Sequence, residues 1–478
     1  MRQFRLLPLI IATALFMENT DSTVISTSLP MIAQSLGTDP IALKLALTSY
    51  LVSLAIFIPI SGWMADKYGA RTIFTTAIGV FMAGSLACAA ANSLEWFVIA
   101  RFVQGAGGAM MVPVGRLVLL RSVQRSEVVQ ALATLTIPAL VGPIVGPPLG
   151  GFITEFFNWR WIFFINIPIG ILGIVLATMF VPNIKEEDTP PLDFIGFLLS
   201  GFGFALLMLG FASGGRHLIP EEISLGCVVI GAICLVLYVV HARRTPYPVL
   251  RLSLLKIPTF RISVLGGFLF RIGIGAIPFL LPLMLQVGFG LSPLASGSLT
   301  FIAAVGALFM KTMAKRILEW TGFRRLLTIN AFIGAAFVAA NGFFTPETPH
   351  WLMMVILLVG GCFRSLQFTS LNAIGYAEIS NREMSYATSL SSALQQVSLS
   401  IGVAFGAFVL EATASLDGNP TITASDFGPA FWAVATVSAL AGFVFIGLSP
   451  TAGAEMSGHK IVKSKPAATG LGDGISGR

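Results

Sequence analysis

Two carboxylates stand in the first long apolar stretch of this sequence, where charge is costly. The segment "FMENTDSTVISTSLP" runs from Phe16 to Pro30 and carries Glu18 and Asp21, three residues apart. On a helix this spacing turns two side chains by about 60°, so both acids share one face. An ionisable group at membrane depth is a functional candidate by default. Glu18 and Asp21 are therefore predicted to take up and release a proton.

Arginines stand at comparable depth elsewhere in the chain. A rise of about 1.5 Å per residue from the predicted helix ends places Arg271 near the midplane with Glu18, and Arg101 at the height of Asp21. Arg101 is therefore grouped with the two acids as a proton-coupling residue. A permanent structural pair of Asp21 with Arg101 is the alternative, because buried charges need partners.

The remaining deep arginines are candidates for binding substrate. Arg116 and Arg364 fall in the inner half of their helices, and guanidinium groups suit carboxylate and phosphate groups. With Arg271 and Glu18 they form the predicted substrate site, which favours anionic or amphiphilic molecules. In the alternative, Arg116 and Arg364 extend to the inner membrane surface.

Composition identifies the elements that position these groups as membrane helices. The chain has 478 residues, of which 55% are hydrophobic and 11% charged, with a mean hydropathy of +0.86. Soluble domains carry about 25% charged residues, and apolar runs of about 20 residues span a bilayer as helices. The prediction is an all-α polytopic protein with fourteen spans, near 6–29, 43–64, 72–91, 96–120, 130–154, 161–181, 194–213, 223–240, 259–286, 294–314, 325–344, 351–375, 388–411 and 427–448.

The basic residues are distributed unequally between the two sides. With the N-terminus inside, the outer loops hold only Lys44, Arg160 and Arg216. The inner loops hold Arg2, Arg5, Lys67, Arg71, Arg121, Arg125, Arg243, Arg244, Arg251, Lys256, Lys315, Arg316, Arg324 and Arg325. This asymmetry predicts both termini in the cytoplasm of a multi-pass inner-membrane protein. The net charge of +7 thus reflects topology, and no nucleic-acid partner is expected.

An internal repeat divides the chain. At an offset of 253 residues, Asp66 meets Glu319, Gly69 meets Gly322 and Arg71 meets Arg324. The same offset takes Gly107 and Gly108 to Gly360 and Gly361, and after a three-residue slip Gly146 and Gly150 pair with Gly402 and Gly406. We expect an N-terminal six-helix bundle at 1–185, an inserted helix pair at 186–245, a C-terminal six-helix bundle at 246–449 and a disordered tail at 450–478. The offset also sets Glu18 opposite Arg271 across the pseudo-twofold axis.

Other chemistry finds little support. The four cysteines form no CxxC pair and all fall in predicted spans, and the four histidines lie at loops, span ends or the tail. We therefore expect no metal, no cofactor and no enzymatic activity.

Several motifs resemble those of the major facilitator superfamily. "GWMADKYGAR" from Gly62 resembles its loop motif, and "RFVQGAGGAMMVPVGR" from Arg101 its fourth-helix motif. "GPIVGPPLGG" from Gly142 is similar to the fifth-helix motif of proton-driven exporters. "WRWIFFINIPIG" from Trp159 and the opening "TDSTVISTSLP" resemble motifs of the fourteen-helix drug:proton antiporters, whose first-helix acid stands where Asp21 does.

The resemblance implies a fold of two pseudo-symmetric six-helix bundles with two added helices, and it implies roles for two motifs. The loop motif and its repeat form a conformational latch of Gly62, Asp66, Lys67, Gly69, Arg71, Glu319 and Arg324. The glycine-proline motif forms a gate of Gly142, Pro143, Gly146, Pro147, Gly150 and Gly151. Close glycine spacing allows helices to approach, and tight turns favour glycine.

The predicted function is proton-driven export of small molecules by alternating access, of the multidrug type, by a monomer. The alternative is a proton-coupled or facilitative importer of organic anions. An anion that contacts a carboxylate favours its protonation, so direct contact couples proton and anion in the same direction. Export of an anion against a proton requires coupling through the conformational change instead.

Overall fold

A computed structural model describes residues 2–38, 44–213, 220–416 and 422–459, and every regular element in these ranges is helical. The N-terminal helices are α1 (Arg2–Ser35), α2 (Lys44–Phe57), α3 (Ser61–Tyr68), α4 (Ala70–Ala90), α5 (Leu94–Ser122), α6 (Val128–Phe156), α7 (Trp161–Phe164) and α8 (Asn166–Phe180). A pair follows, α9 (Phe194–Ser213) and α10 (Glu221–Arg244). The C-terminal helices are α11 (Pro258–Leu283), α12 (Pro293–Asn341), α13 (His350–Ile374), α14 (Met384–Leu416), α15 (Phe427–Ile446) and α16 (Ala454–Ser457).

Eleven helical segments of the described ranges are long and apolar enough to cross a membrane. Neither α1 nor α6 is among them, although the first and fifth predicted spans fall within these two helices. The tenth and eleventh predicted spans fall in one segment, Ala295–Asn341. Within it Gly322 has φ 69° and ψ 164°, which breaks α12 into two arms. The prediction of a polytopic helical protein is confirmed, while the count of fourteen stays a prediction.

Local sequence sets several helix ends. The Ser93 hydroxyl accepts from the Trp96 N–H at the start of α5, and the Ser292 hydroxyl accepts from the Ala295 N–H at the start of α12. Such caps satisfy N–H groups that have no partner inside the helix. At the turn between α3 and α4, Gly69 has φ 97°, a conformation that a side chain disfavours.

Glycine contacts in the two sets of helices follow the 253-residue offset. A β-carbon on Gly108 would lie 2.9 Å from the Tyr50 hydroxyl of α2, and one on Gly361 would clash with Ala303 of α12. Tyr50 and Ala303 are themselves 253 positions apart. Gly107 packs on α4 and Gly360 on the second arm of α12 in the same manner. The repeat read from the sequence thus recurs in the packing.

The C-terminal segment just beyond α15 is ordered, contrary to the prediction of a disordered tail from residue 450. Residues 450–459 include α16, and Met456 is buried in the core that α12 helps to form. The His459 ring Nδ1 lies 2.8 Å from the Glu319 carbonyl and donates to it. Residues 460–478 lie outside the described ranges.

Candidate functional site

Asp21 lies in a buried network built by four helices. Its Oδ2 is 2.7 Å from Arg101 Nη1, and its Oδ1 accepts from Gln104 Nε2 at 3.0 Å and from Asn166 Nδ2 at 2.8 Å. Gln104 and Asn166 also donate to the Ser85 hydroxyl. Both carboxylate oxygens are therefore satisfied, and the network joins α1, α4, α5 and α8. The Asp21–Arg101 pair that the sequence offered as the structural alternative is present.

Glu18 has a different environment one turn away. The Tyr50 hydroxyl donates to its Oε1 at 3.4 Å, a long bond. Its Oε2 is buried and accepts from no group in the described part of the chain. The Tyr50 ring also lies under Arg101, whose Cζ is 4.5 Å from the ring centroid. Tyr50 therefore links the two carboxylate environments.

Arg271 forms no ion pair with Glu18 among the residues that the structure covers. Its Nη2 donates to Asn372 Oδ1 of α13 at 3.1 Å instead. The expectation that the two charges meet across the axis is therefore not met in this conformation. Equal height did not determine the contact, because a neighbouring helix in the same bundle offers a nearer acceptor.

Three cations converge on one small cavity between the N-terminal and C-terminal helices. Arg116, Lys311 and Asn372 line it, and Asn372 holds Arg271 behind it. The exposed fractions are 7% for Arg116, 3% for Lys311 and 4% for Arg271. The cavity measures about 20 Å³, enough for one water molecule and far below the volume of a ligand pocket. In this conformation the cavity therefore has no room for a small-molecule ligand.

Neutral groups satisfy these cations only in part. Lys311 Nζ donates to the Thr369 hydroxyl at 2.6 Å, and Arg116 Nη1 donates to the Tyr376 hydroxyl at 3.4 Å. The Phe368 ring lies 5.6 Å from Arg271 Cζ and 6.0 Å from Lys311 Nζ, within cation–π range. None of the three has a carboxylate within 4 Å in the described ranges. The cavity thus gathers three buried basic side chains that have no acidic partner in the described part of the chain.

Arg364 lies on α13 one turn before Phe368, on the same helix face, and is half-buried. It does not line the small cavity. Of the four predicted substrate residues, Arg116 lines the cavity and Arg271 lies behind it on Asn372, while Glu18 and Arg364 are not part of the lining.

Polar links between the N-terminal and C-terminal helices gather at one end of the bundle. We call this end the basic face; it carries the α3–α4 turn, the α5–α6 and α13–α14 loops and the Gly322 break. The Asp66 carboxylate accepts from Arg121 Nη1 at 3.0 Å and from the Ser385 hydroxyl of α14. Arg121 Nε donates to the Asn381 carbonyl at 3.1 Å.

Further links at the basic face use backbone groups. The Gly62 N–H donates to the Ser389 hydroxyl at 2.9 Å, and a β-carbon on Gly62 would lie 2.5 Å from the Ser385 carbonyl. Arg125 donates to the carbonyls of Ala377 and Ile379. Within the described residues, every hydrogen bond between the two sets of helices lies at this face or, for Arg116, just above it. The conformation is closed at the basic face.

The predicted latch is only partly assembled as expected. Arg121 pairs with Asp66, whereas Arg71 donates to the Thr178 carbonyl of α8 at 3.4 Å. Lys67 is exposed. In the repeat, Glu319 is exposed, and neither Glu319 nor Arg324 forms an ion pair within the covered ranges. In this conformation the contacts expected of the predicted latch are therefore made by the N-terminal copy of the motif.

The predicted gate glycines pack on α1. A β-carbon on Gly142 would lie 2.9 Å from the Thr20 hydroxyl, and one on Gly146 would clash with Thr23. Gly402 and Gly406 meet Ile272 and Ala276 of α11. Ile272 and Ala276 follow Asn19 and Thr23 by 253 positions. By these contacts Gly142 and Gly146 are the counterparts of Gly402 and Gly406, one helical turn from the pairing that the sequence suggested.

The motif therefore holds α6 against the part of α1 that carries both acids. Its glycine face meets a helix of its own bundle rather than the C-terminal helices. Gly150 is a buried residue of α6. Pro143, Pro147 and Gly151 also lie in this helix, and the burial of these three residues is outside the described part of the structure.

Sequence reasoning missed Lys311, Tyr50, Gln104 and Asn166. Lys311 lies inside the predicted span 294–314, so the rule that flags charges at depth would have found it. Gln104 follows Arg101 by three positions on one face of α5, a spacing that also brings side chains together. No pattern in the sequence pointed to Tyr50. No group of three or more potential metal ligands occurs in the described ranges.

Comparison with known proteins agrees with this architecture. A family model described as Major Facilitator Superfamily matches residues 11–403. Proteins named "Putative multidrug resistance protein MdtD" from Escherichia coli O139:H28 (strain E24377A / ETEC) and strain 55989 / EAEC are 38% identical over 443 residues, covering 91% of this chain and 93% of theirs.

Two solved structures show the same fold. The human organic anion transporter MFSD10 (TETRAN) superposes with a TM-score of 0.65 at 14% identity, covering 92% of this chain and 99% of that one. The proton:xylose symporter XylE bound to 6-bromo-6-deoxy-D-glucose gives a TM-score of 0.64 at 14% identity, covering 92% and 95%. The predicted resemblance and the prediction of a transporter rather than an enzyme are both confirmed: the chain belongs to the Major Facilitator Superfamily.

Proposed function

We propose that this protein is a proton-driven exporter of small molecules that works by alternating access between its two sets of helices. The similarity to multidrug resistance proteins over nine-tenths of the chain supports the transport class. The observation that carries the mechanism is the cationic cavity between the two sets, next to a helix that bears two acids.

In this proposal the chain crosses the inner membrane fourteen times. The break at Gly322 divides α12 into two spans, and α1 and α6 add two more to the segments that qualify by apolarity. Residues 1–185 and 246–449 form the two moving bundles, with 186–245 as the inserted pair. The basic face is cytoplasmic by the positive-inside rule, so both termini are inside. The protein acts as a monomer.

The substrate is an anionic or amphiphilic molecule whose negative group binds Arg116, Lys311 and Arg271. Burial of an unpaired cation costs several kcal/mol, and a bound carboxylate, sulfonate or phosphate offsets that cost. Two of these residues lie in the C-terminal helices and one in the N-terminal helices, so an anion held by all three senses the distance between the bundles. Arg364, on the same face of α13 as Phe368, contacts the more distant part of the substrate.

Glu18 carries the proton in this scheme, while Asp21, with Arg101, holds its helix in place. Among the described residues Glu18 has one long hydrogen bond and one oxygen without a donor, so protonation breaks no strong contact there. Asp21 would lose an ion pair on protonation, and its bonds from two amide donors would weaken. Tyr50 transmits the change, because its hydroxyl meets Glu18 and its ring meets Arg101.

Opening of the basic face breaks the bonds of Asp66 and Arg121 to α14 and its preceding loop, so these residues act as the latch. The α6 glycines form a close, smooth contact with α1. Their small size lets α1 shift along α6 when Glu18 gains or loses a proton. In this way the proposed gate responds to protonation of Glu18.

An importer of organic anions is the second candidate. Leu15 lines the cavity one turn from Glu18, so an anion in the cavity lies near that carboxylate and favours its protonation. Direct coupling of this kind moves proton and anion together.

Direction of flux separates the two candidates. Purified protein in proteoliposomes is supplied with a panel of anionic, neutral and cationic dyes and an imposed pH gradient, inside acid or outside acid. If the protein is an exporter, substrate and proton should move in opposite directions. Anionic dyes should then be transported better than neutral or cationic ones. Movement of both in one direction supports the importer, and transport that survives both Glu18→Gln and Asp21→Asn contradicts the role of the acids.

A further inference from the structure

A second site lies at the basic face, away from the cavity. The second arm of α12 begins just after Gly322, and a pocket of about 440 Å³ opens beside its first turn. Its polar lining consists of Thr321, Arg324, Arg325, Thr328 and His459, and Ile329 and Ile446 form an apolar wall. We call it the Arg324 pocket. Nothing in the proposed transport cycle uses it.

The start of this helical arm concentrates positive charge. The first N–H groups of a helix carry about half a positive charge, which favours acidic residues there and disfavours basic ones. This arm instead places Arg324 and Arg325 in its first turn. Two full charges and the helix end thus repel one another unless an anion lies between them.

The equivalent turn in the N-terminal half shows what is missing. There, α4 begins after Gly69, and acceptors from the segment after α8 cap it. The Ala70 N–H donates to the Ile184 carbonyl at 2.8 Å, and the Thr72 N–H to Asn183 Oδ1 at 3.3 Å. Ala70 and Thr72 correspond to Phe323 and Arg325 at the offset of 253.

His459 takes the place of Asn183 in the C-terminal half. A β-carbon on Gly69 would meet the Asn183 side chain, and one on Gly322 would lie 3.1 Å from the His459 ring. The ring, however, donates to the Glu319 carbonyl. Within the described ranges, no acceptor outside α12 bonds the N–H groups of Phe323 or Arg325. The side chain that caps the helix start in one half thus has a counterpart in the other half that bonds to Glu319 instead.

No carboxylate of the described residues pairs with the arginines of the pocket. Glu319 is the acid of the adjoining turn, and it forms no ion pair with Arg324 or Arg325 among the residues covered. The Thr328 hydroxyl, on the pocket wall, is buried and has no partner in the described part. The pocket therefore presents two guanidinium groups and a hydroxyl to an anion.

The surroundings are those of a membrane interface. Ile329 is 51% exposed and Ile446 46% exposed, on the sides of α12 and α15 that continue from the pocket along the bundle. Trp320 is 72% exposed, and Arg316 Cζ lies 5.6 Å from its ring centroid. Tryptophan in this setting is typical of the lipid headgroup level. An anion bound here has apolar surface directly beside it.

We propose that the Arg324 pocket binds the phosphate of an anionic phospholipid, with the acyl chains along Ile329 and Ile446. Basic pockets at the cytoplasmic ends of membrane helices bind such headgroups. The leaflet follows from the proposed orientation, whereas the chemistry of the pocket does not depend on it. In the N-terminal half, the neutral acceptors of Asn183 and Ile184 cap the start of α4. In the C-terminal half, the lipid phosphate is the acceptor at the equivalent helix start, and it also brings a negative charge.

The test measures lipid binding and needs no transport assay. Phosphatidylglycerol and phosphatidylcholine are titrated onto the delipidated full chain, and binding is followed by native mass spectrometry and by the shift in Tm. The test variant is Arg324→Gln with Arg325→Gln. The matched control is Arg243→Gln with Arg244→Gln, an adjacent exposed pair at the C-terminal end of α10.

We expect phosphatidylglycerol to bind the natural chain and the control variant with similar affinity. At about fivefold per lost charge, the test variant should bind on the order of 30-fold more weakly. Arg325→Gln alone, at an exposed position, should weaken binding by roughly fivefold and guards against misfolding of the double variant. Phosphatidylcholine should bind the natural chain and all of the variants with the same affinity.

Two results would overturn the proposal. Equal loss in the test and control pairs would mean that general surface charge, not the pocket, attracts the lipid. Inorganic phosphate that raises Tm as much as phosphatidylglycerol, and with the same dependence on Arg324 and Arg325, would make the site one for a soluble anion. Because no substrate is present, neither result bears on whether the protein is an exporter.

Discussion

Two buried charge clusters lie inside this protein, one within the N-terminal helices and one between the two sets of helices, and they are satisfied in opposite ways. Asp21 has Arg101, Gln104 and Asn166 around it, so its charge is balanced within the protein. Arg116, Lys311 and Arg271 have neutral partners only. The first arrangement stabilises the fold by itself. The second arrangement is balanced only when an anion binds. Removing a charge from the first cluster should therefore destabilise the fold, whereas removing one from the second should stabilise the fold and impair transport.

The largest effect on stability should come from Asp21→Asn. Loss of one partner of a buried ion pair typically costs about 3–5 kcal/mol, because Arg101 is left without a counter-ion. Chemical unfolding in detergent measures this. Glu186→Gln, which removes a partly exposed partner of Arg121, is the control and should cost no more than about 1 kcal/mol. Equal costs would show that the Asp21 network is not special.

Lys311→Met should have the opposite sign. Replacing a buried charge by an apolar side chain of similar length can stabilise by about 1–4 kcal/mol. The same variant should lose most anion transport. Lys315→Met, one turn further along α12 and half-buried, is the control for both measurements. A destabilised Lys311→Met would mean that the cationic cavity is already balanced without substrate.

Arg121→Gln should open the basic face. Across the two sets of helices, the charged Arg121 side chain donates to the Asn381 carbonyl. A hydrogen bond of this kind contributes about 1.5–3 kcal/mol, which corresponds to roughly a 10- to 150-fold shift between closed and open forms. A cysteine at Thr136, which lines the cavity, reports opening by its rate of thiol labelling from the basic side once the native cysteines are replaced. Arg71→Gln removes a hydrogen bond to α8 of the same set of helices and should leave that rate unchanged.

Glu18→Gln should be the mildest change in stability, within about 1 kcal/mol, because only one long hydrogen bond is altered. Its effect should appear in coupling. Transport down a substrate gradient should persist, while acceleration by a pH gradient should disappear. Glu411→Gln, an acid of α14 far along the sequence from either cluster, should keep the acceleration. If Glu18→Gln keeps it as well, the proton travels elsewhere.

Depth was predictable from the sequence, whereas partners were not. Counting residues from helix ends placed Asp21 level with Arg101, and the two do pair. The same counting placed Glu18 level with Arg271, and they do not, because lateral position depends on helix tilt and on nearer acceptors such as Asn372. Lys311 stood near the predicted end of its span. The helix continues past it to the Gly322 break, which is why the side chain is buried rather than at the surface.

The repeat and the family motifs likewise predicted which residues matter, but they did not predict all of the partners of those residues. The 253-residue offset correctly paired Gly108 with Gly361, since backbone contact depends on small residues that a sequence displays. The latch motif suggested Asp66, but its guanidinium partner, Arg121, comes from the end of a different helix. Such a contact depends on how two helices cross, which no local motif contains.

The bonds that close the basic face have a consequence for how this protein can change over generations. On the C-terminal side, the acceptors for Arg121 and Arg125 are the main-chain carbonyls of Asn381, Ala377 and Ile379. A main-chain acceptor survives any substitution at its own position that keeps the backbone path. Inherited variation in the α13–α14 loop can therefore accumulate without loosening the closed form, while the two arginines are constrained to keep their identity.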